Sequence, residues 1–254
     1  MADDDGAGSR SQTDVVIDAV KGMLTRGELH PGSRLPVEKD LAAQLGVSRG
    51  SLREGVRALA TLGVLETRQG DGTYVTSLDP QLLLSPLGFL ADLQQPGQAA
   101  DLLAVRRVLE TESVALAAHR LTEEQLAELG RVLDGVDDIL TSDPEMDLEA
   151  FIQADTVFHG IIARASGNPS LAAIIETLVG RTFRARLWRA ISHRGSVRET
   201  QAEHRAILDE LMRRDPERAR IRMSVHLLGV EQFSAAHAED DPSAHAHEPQ
   251  RDVQ

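Results

Sequence analysis

Residues 35–75 constrain the fold more than any other part of this chain of 254 residues. Apolar residues recur at helical spacing over 37–45, which predicts a short helix with one buried face. Gly46 is predicted to end that helix, because glycine adopts the left-handed C-terminal cap at little cost. Ser48 is a good N-cap for a second helix. The pattern therefore predicts two helices joined by a tight turn.

The second helix is followed by a predicted β-hairpin. The core face of the second helix is predicted from four apolar residues at helical spacing: Leu52, Val56, Leu59 and Leu62. Gly63 is predicted to end the helix, and two short strands follow over 64–68 and 73–76. The segment 70–72 (Gly-Asp-Gly) supplies the turn between them. Two helices and a hairpin in this order are the layout of a winged helix-turn-helix, in which the hairpin is the wing.

The face of the second helix opposite its core carries Arg49, Ser51 and Arg53. Recognition helices enter the major groove by their N-terminal turns, so side chains there reach base edges or phosphates. A guanidinium can bind O6 and N7 of guanine together. Solvated arginines on an amphipathic helix pair are the simpler interpretation of each residue alone. The whole ordered set predicts binding to double-stranded DNA.

This segment resembles the N-terminal domain of the GntR superfamily of bacterial regulators over about residues 11–77. The resemblance rests on Leu35-Pro36, Leu41-Ala42, Val47-Ser48-Arg49, Leu52-Arg53, Leu59, Gly63 and Gly70. It implies that Arg49 and Arg53 bind bases or phosphates, and that Gly70 lets the wing backbone approach the minor groove. The full predicted DNA-binding set is Arg34, Lys39, Arg49, Ser51, Arg53 and Gly70.

Composition limits the compartment and the class of protein. The chain has no cysteine, which excludes disulfides and thiolate metal sites and fits a reducing cytosol. No apolar stretch reaches the length needed to span a membrane, and the acidic start of the chain is unlike a signal peptide. A cytoplasmic location is therefore expected. The net charge of −13 lies wholly outside residues 11–77, which hold eight basic and eight acidic side chains. Local placement decides phosphate contact, so this net charge does not exclude DNA binding.

The rest of the chain predicts a mainly α protein with a second, all-helical domain. We expect disordered tails over 1–10 and 236–254, a DNA-binding domain over 11–77, a linker over 78–98 and a helical domain over 99–235. The DNA-binding domain is expected to begin with a helix over 13–26, and the linker to carry one short helix over 82–93. Helices are predicted over 99–119, 122–141, 145–166, 169–192, 196–214 and 216–236. Six such helices without a strand pattern imply a bundle.

Four residues of the predicted bundle suit a metal ion. Asp155 and His159 are four residues apart on one helix, so their side chains share a face. His204 and His226 lie on two further helices, on either side of the break at 215–216, which can bring them to the same level. Three imidazoles and a carboxylate suit zinc first, with nickel, manganese and iron as alternatives. Each histidine taken alone is more often a hydrogen-bonded core residue than a metal ligand.

Together the four residues resemble the FCD effector domain of the FadR subgroup, over roughly residues 99–235. The matching residues are Arg106 with Glu110, Asp155, Phe158-His159, the run 163–168, Glu203-His204 and His226. The resemblance implies a divalent ion on the four ligands, and a small carboxylate effector bound by that ion and Arg106. A structural helix pair between Arg106 and Glu110 is the alternative for this arginine. Whether Arg184, Arg186 or Arg189 adds to the pocket is open at this point.

These features predict a metabolite-responsive transcriptional regulator, by default a repressor. It is expected to bind a palindromic operator as a homodimer, and a small organic acid is expected to modulate that binding. One alternative is a metal-dependent enzyme that acts on a small carboxylate, with Glu203 as its base. The other is a regulator that responds to an acyl thioester and holds a structural metal. The DNA-binding segment argues against the enzyme, since no enzyme requires it.

Overall fold

The computed structural model of the protein describes residues 10–92, 99–142, 147–193 and 195–237. It is mainly α-helical, with one small β-hairpin, and divides into two compact units between Pro86 and Leu87. This boundary lies within the segment 78–98 that the sequence predicts as a linker. The two predicted tails fall almost wholly outside the described residues, and the division into five segments stays a prediction.

The N-terminal unit is a winged helix-turn-helix. Its helices are α1 (Gln12–Thr25), α2 (Glu38–Leu45) and α3 (Arg49–Thr61), and its strands are β1 (Leu65–Arg68) and β2 (Gly72–Val75). Gly46 ends α2 in the left-handed conformation, and the Ser48 side chain caps α3 by accepting from the Ser51 amide. Both predicted boundaries of the turn are confirmed.

The core face of α3 differs from the prediction at one position. Leu52 and Leu59 are buried, but Leu62 is 45% exposed because the helix has already ended when the chain reaches it. Gly55 is buried instead, against α1, and an added Cβ there would lie 2.6 Å from Cγ1 of Val16. The missing side chain of Gly55 therefore lets α1 and α3 pack closely.

The wing is an antiparallel hairpin whose register runs from Leu65 opposite Val75 to Arg68 opposite Gly72. Its three-residue loop, 69–71, contains Gly70 with a φ of 76°, a conformation that favours glycine. Arg34 forms an isolated bridge to the second strand and donates to the Asp71 carbonyl of the loop. This contact ties the wing loop to the segment that precedes α2.

The linker region contains two short helices where the sequence predicts one over 82–93. These helices are α4 (Pro80–Leu83) and α5 (Ser85–Asp92), and residues 93–98 lie outside the described part of the chain. Pro86 has no amide hydrogen, so the α4 hydrogen-bond ladder cannot continue through it. A proline is accepted in the first turn of a new helix, and α5 starts there.

The C-terminal unit is an all-helical bundle, as predicted. Its described helices are α6 (Ala99–Ala118), α7 (Glu123–Ser142), α8 (Leu148–Ala165), α9 (Pro169–Arg181), α10 (Phe183–Ser192), α11 (Ser196–Met212) and α12 (Pro216–Ala236). Helices α6 and α12 pack antiparallel, since Arg107 pairs with Glu231 and Arg220 pairs with Glu112. Phe158, Ile207 and their neighbours form the main apolar core between the helices. None of the described helices is long and apolar enough to cross a membrane.

The predicted helix over 169–192 is wrong in one respect, because it is two helices that meet at Thr182. The Thr182 hydroxyl accepts from Nη1 of Arg106 on α6, and Arg186 donates to the Val179 carbonyl across the junction. The Thr182 hydroxyl and the Val179 carbonyl at the junction are thus both hydrogen-bonded to arginine side chains. The sequence there contains no proline, and the interruption coincides with these two tertiary contacts.

Candidate metal centre and DNA-facing surface

The bundle brings the four predicted ligands together. Asp155 and His159 come from α8, His204 from α11 and His226 from α12, and all four are buried. One ligand atom from each residue lies within 4.8 Å of the others. Donors bound at 2.0–2.2 Å to one ion lie roughly 3 to 4.4 Å apart, so a slight contraction closes this set on a metal.

Two of the imidazoles are oriented by carboxylates from neighbouring helices. Glu110 of α6 accepts from Nδ1 of His159, and Glu203 of α11 accepts from Nδ1 of His226 at 2.8 Å. A carboxylate only accepts hydrogen bonds, so Nδ1 of each ring carries the proton and Nε2 keeps its lone pair. Carboxylates hold metal-bound histidines in this way in many proteins, where they fix the ring and raise its basicity.

The ring nitrogens that face the cluster suit a cation. Nε2 of His159 and Nε2 of His204 are buried without a hydrogen-bond partner, which is costly unless something binds them. Oδ1 of Asp155 lies 3.6 Å from Nε2 of His204 and 3.9 Å from Nε2 of His159. Burial holds the pKa of His204 and His226 well below the ordinary value, and the neighbouring imidazoles add to this. Neutral imidazoles are the form that metals bind, so the four residues fit a divalent ion.

The second oxygen of the Asp155 carboxylate faces a buried arginine. Nη1 of Arg186 donates to Oδ2 of Asp155, and Nη2 donates to the Val179 carbonyl at 2.7 Å. The carboxylate thus points one oxygen toward the histidines and the other toward a guanidinium. Nε of Arg186 is buried and has no partner.

Arg106, the predicted effector contact, is fully buried and mostly engaged within the bundle. It donates from Nε to Glu110 at 2.7 Å and from Nη1 to Thr182 at 2.7 Å, while Nη2 is buried without a partner. Burial alone would raise the pKa of Glu110, but the attraction of Arg106 and His159 outweighs it and holds the pKa below its usual range. Arg106 therefore keeps the carboxylate that orients His159 ionised.

A small pocket adjoins the cluster and shares Asp155 with it. The residues around it are Phe151, Ile152, Asp155, Arg186, Arg189, Ala190, Ser196, Thr200 and Val230. Arg186 and Arg189 line this pocket, whereas Arg184 is exposed. The structure thus answers, for these three arginines, a question that the sequence leaves open.

The predicted DNA-binding residues lie on the surface of the N-terminal unit. Arg34, Lys39, Arg49, Arg53 and Gly70 are exposed. Arg53 pairs with Glu38 at 2.9 Å, a contact between two exposed side chains that contributes little energy.

Ser51 is only half exposed, and its hydroxyl is occupied within the protein. It bonds to the hydroxyl of Ser48 at 2.8 Å and donates to the side chain of Gln12 at 3.0 Å. On the wing, Arg68 lies over the Tyr74 ring, 4.2 Å from its centroid, and the predicted set omits this arginine. Arg68 thus adds an exposed cation to the wing.

Sequence reasoning missed the partners that orient the site. The sequence suggests Glu203 as a possible base of an enzyme and as part of the FCD resemblance, but not as a partner of His226, and it predicts Thr182 inside a continuous helix. Both residues act across helices, on His226 and on Arg106, and no spacing within one helix signals such a contact. The sequence signal that could have identified Glu203 is its position directly before His204, a predicted metal ligand.

Comparisons with known proteins agree with both units. The family described as "Bacterial regulatory proteins, gntR family" matches residues 12–75, and the family described as "FCD domain" matches residues 101–229. The HTH-type transcriptional regulator LutR of Bacillus subtilis (strain 168) is 32% identical over 224 residues, which cover 86% of this chain and 99% of that protein. The HTH-type transcriptional repressor NanR of Salmonella newport (strain SL254) is 30% identical over 223 residues, which cover 86% and 83%. The solved structure of Streptococcus agalactiae GntR matches with a TM-score of 0.62 and 27% identity, and covers 87% of this chain and 99% of that one.

Proposed function

This chain belongs to the GntR family of bacterial regulatory proteins and carries an FCD domain, and on that premise we propose that its bundle senses a small organic acid. As a member of this family it is a DNA-binding transcriptional regulator. The proposal adds that a divalent ion and a carboxylate effector bind in the bundle and modulate operator binding. Repression that the acid relieves is the mode we propose. Its target is genomic DNA, which makes the cytoplasm its place of action.

The observation that carries the proposal is the buried quartet of Asp155, His159, His204 and His226 with two unpartnered ring nitrogens. These four side chains would hold the ion, with zinc first and nickel, manganese or iron as alternatives. A bound ion would supply a fixed positive charge that attracts a carboxylate oxygen.

The chain's own arginines would complete the binding of the acid. The Nη2 atom of the Arg106 guanidinium and the Nε atom of the Arg186 guanidinium are buried without partners, so each can donate a hydrogen bond to an anion. Guanidinium groups bind carboxylates strongly, because their donors match the two carboxylate oxygens. Arg106 therefore stays in the proposal as an effector contact, and Arg186 joins it.

On DNA, we assign recognition to the first turns of α3 and to the wing. Arg49 and Arg53 would contact bases or phosphates, with Ser51, Lys39 and Arg34 in support, and Gly70 would let the wing approach the minor groove. A homodimer would place one recognition helix on each half of a palindromic operator. The largest change in operator affinity that the acid can cause is set by the difference between its binding free energies to the two arrangements of the dimer.

The two alternatives fit the site less well. An enzyme would need a free base, but Glu203 accepts a hydrogen bond from His226 and is committed to orienting it. An acyl thioester would need a long apolar channel, whereas the pocket is small and presents two buried guanidiniums. A sensor of small acids agrees with both observations.

Metal analysis tests the cation. The full-length protein is purified, and its metal content is measured before and after treatment with a chelator. We expect about one divalent ion per chain in the wild type and in His119→Ala, whose side chain is exposed, and none in His204→Ala. Equal metal content in His204→Ala and wild type would remove the quartet from the mechanism.

A DNA-binding measurement tests the recognition helix. Duplexes selected from a random pool by the wild-type protein serve as the operator probe. Arg53→Ala should lower affinity for them at least about fivefold, since one good base contact contributes about 1–3 kcal/mol. Arg26→Ala is the control, because this exposed arginine pairs with Glu28 at the end of α1. Normal binding by Arg53→Ala would contradict the assignment.

A further inference from the structure

The pocket beside the quartet presents two buried guanidiniums on one helix. Arg186 and Arg189 are three residues apart on α10, so they lie on the same face, about 4.5 Å apart along the helix axis. Both side chains are at least nine-tenths buried, and the Nε atom of each has no hydrogen-bond partner. Each guanidinium therefore has a buried N–H group that could donate a hydrogen bond to a ligand.

The two arginines differ in the charge that already faces them. Arg186 is paired with the Asp155 carboxylate, which also faces the histidines. Arg189 donates from Nη1 to the Thr200 hydroxyl at 2.9 Å, and its ion-pair partner is Glu199, 4.0 Å away and more than half exposed. Arg189 is thus a desolvated cation whose closest partner is a neutral hydroxyl. An anion at this end of the pocket would meet a positive charge and the Thr200 hydroxyl.

The balance of buried charge indicates how many negative charges the pocket accepts. Three guanidiniums lie in this region, those of Arg106, Arg186 and Arg189. Burial lowers the pKa of Arg186 and Arg189, but arginine keeps its proton in proteins. Three buried or partly buried carboxylates face them or the histidines: Glu110, Asp155 and Glu203. A fourth, Glu199, lies 4.0 Å from Arg189, but it is more than half exposed, so solvent screens its charge and it is left out of the balance.

The protein's own charges therefore cancel around the site. The three histidines are neutral when they bind a metal, so a divalent ion adds two uncompensated positive charges. Uncompensated buried charge is costly, and a ligand with a single carboxylate would leave one such charge. A ligand with two negative charges would leave none.

We propose that the effector of this pocket is a small dianion, a short-chain dicarboxylate or an acid of like charge and size. One anionic group binds at the metal quartet beside Arg186, and the second binds Arg189 and the Thr200 hydroxyl. The inference rests on the proposed function and narrows it from carboxylates in general to dianions. The two arginines lie about 4.5 Å apart along the helix axis, which suits a molecule with only a few carbons between its two charges.

Calorimetry on the zinc-loaded full-length protein tests this inference with matched probes. Succinate and glutarate are the dianions, and butyrate and pentanoate are monoanions with chains of the same length. We expect the dianions to bind at least about tenfold more tightly, because one more carboxylate meets a buried guanidinium. Trp188 lies between the two arginines in sequence and is the chain's single tryptophan, so its fluorescence gives a second measure of binding.

Two variants locate the second subsite. In Arg189→Gln the ratio of dianion to monoanion affinity should fall toward one. In Arg184→Gln, where the exposed neighbouring arginine is changed, the ratio should stay as in the wild type. Circular dichroism confirms that both variants fold and retain zinc-dependent stability.

The outcomes separate this inference from the function on which it rests. Equal affinity for both series in the wild type would overturn the dianion proposal while leaving an acid sensor intact. A preference for dianions that persists in Arg189→Gln would overturn the assigned subsite. If neither series binds to protein that holds zinc, both the dianion proposal and the acid-sensing function fail together.

Discussion

Two ligand imidazoles of the quartet are held in place by carboxylates from other helices. Glu110 orients His159 and Glu203 orients His226, and Arg106 in turn holds Glu110. That these four residues lie together could be predicted from the sequence, because Asp155 and His159 share a helix face and the set resembles a known domain. Their supporting partners could not be predicted, because each contact joins helices that only the folded bundle brings together.

The buried histidines make the metal-free protein sensitive to acid. Burial lowers the pKa of His204 and His226 in the folded state, whereas the unfolded chain takes up protons near pH 6.5. The unfolded state therefore binds more protons below that pH, so stability falls as the pH falls. Between pH 7.5 and 5.5 we expect a loss of roughly 1 kcal/mol for each of the two histidines.

Urea unfolding of chelator-treated protein, followed by Trp188 fluorescence, measures this loss. In His204→Gln about half of the pH dependence should disappear, while His119→Gln, at an exposed position, should behave as the wild type. A metal-free protein whose unfolding free energy is flat from pH 7.5 to 5.5 would contradict buried neutral imidazoles.

Gly55 sets the approach of α1 to α3. Gly55→Ala should lower the free energy of unfolding by about 1–2 kcal/mol, because overpacking against Val16 outweighs the gain in helix propensity. Gly50→Ala on the same helix is the control, since its added Cβ would lie 3.7 Å from the nearest side-chain atom. Tyr74, the single tyrosine, reports unfolding of this unit in near-ultraviolet circular dichroism. Equal stability of Gly55→Ala and wild type would refute this tight packing.

At the scale of elements, helix ends that depend on local chemistry could be predicted from the sequence. Gly46 and Ser48 mark the turn of the DNA-binding unit, and Asp215 caps α12 next to its first-turn proline. The junction between α9 and α10 could not be predicted, because side chains from elsewhere create it. Arg106 reaches Thr182 from α6, seventy-six positions away in the chain.

The Thr182 hydroxyl should be required at that junction. Thr182→Val removes it with little change of shape and leaves Nη1 of Arg106 buried without a partner, at a cost of about 1–3 kcal/mol. Thr177→Val on α9 is the matched control, since its hydroxyl only donates to the Ala173 carbonyl of its own helix. Urea unfolding followed by Trp188 fluorescence compares the two. Equal effects of both substitutions would show that the contact with Arg106 does not stabilise the junction.

At the scale of the whole molecule, the excess negative charge lies outside the DNA-binding segment. Residues 11–77 are neutral overall while the remainder carries the excess of acid, so affinity for DNA depends on where a few arginines lie. The same division limits non-specific attraction to DNA phosphates. Signalling between acid binding and operator binding must be reciprocal: an acid that weakens operator binding binds less tightly to the operator-bound protein, by the same factor.

We propose that an organic acid acts on DNA binding through the buried quartet of Asp155, His159, His204 and His226. Fluorescence anisotropy of a labelled duplex, selected by the protein itself, measures operator affinity with and without a saturating dicarboxylate. We predict that the acid weakens binding at least about fivefold for the metal-loaded protein. It should have no effect on chelator-treated protein or on His204→Ala. Operator affinity that stays unchanged while the acid is bound, or that changes equally without metal, would contradict the account.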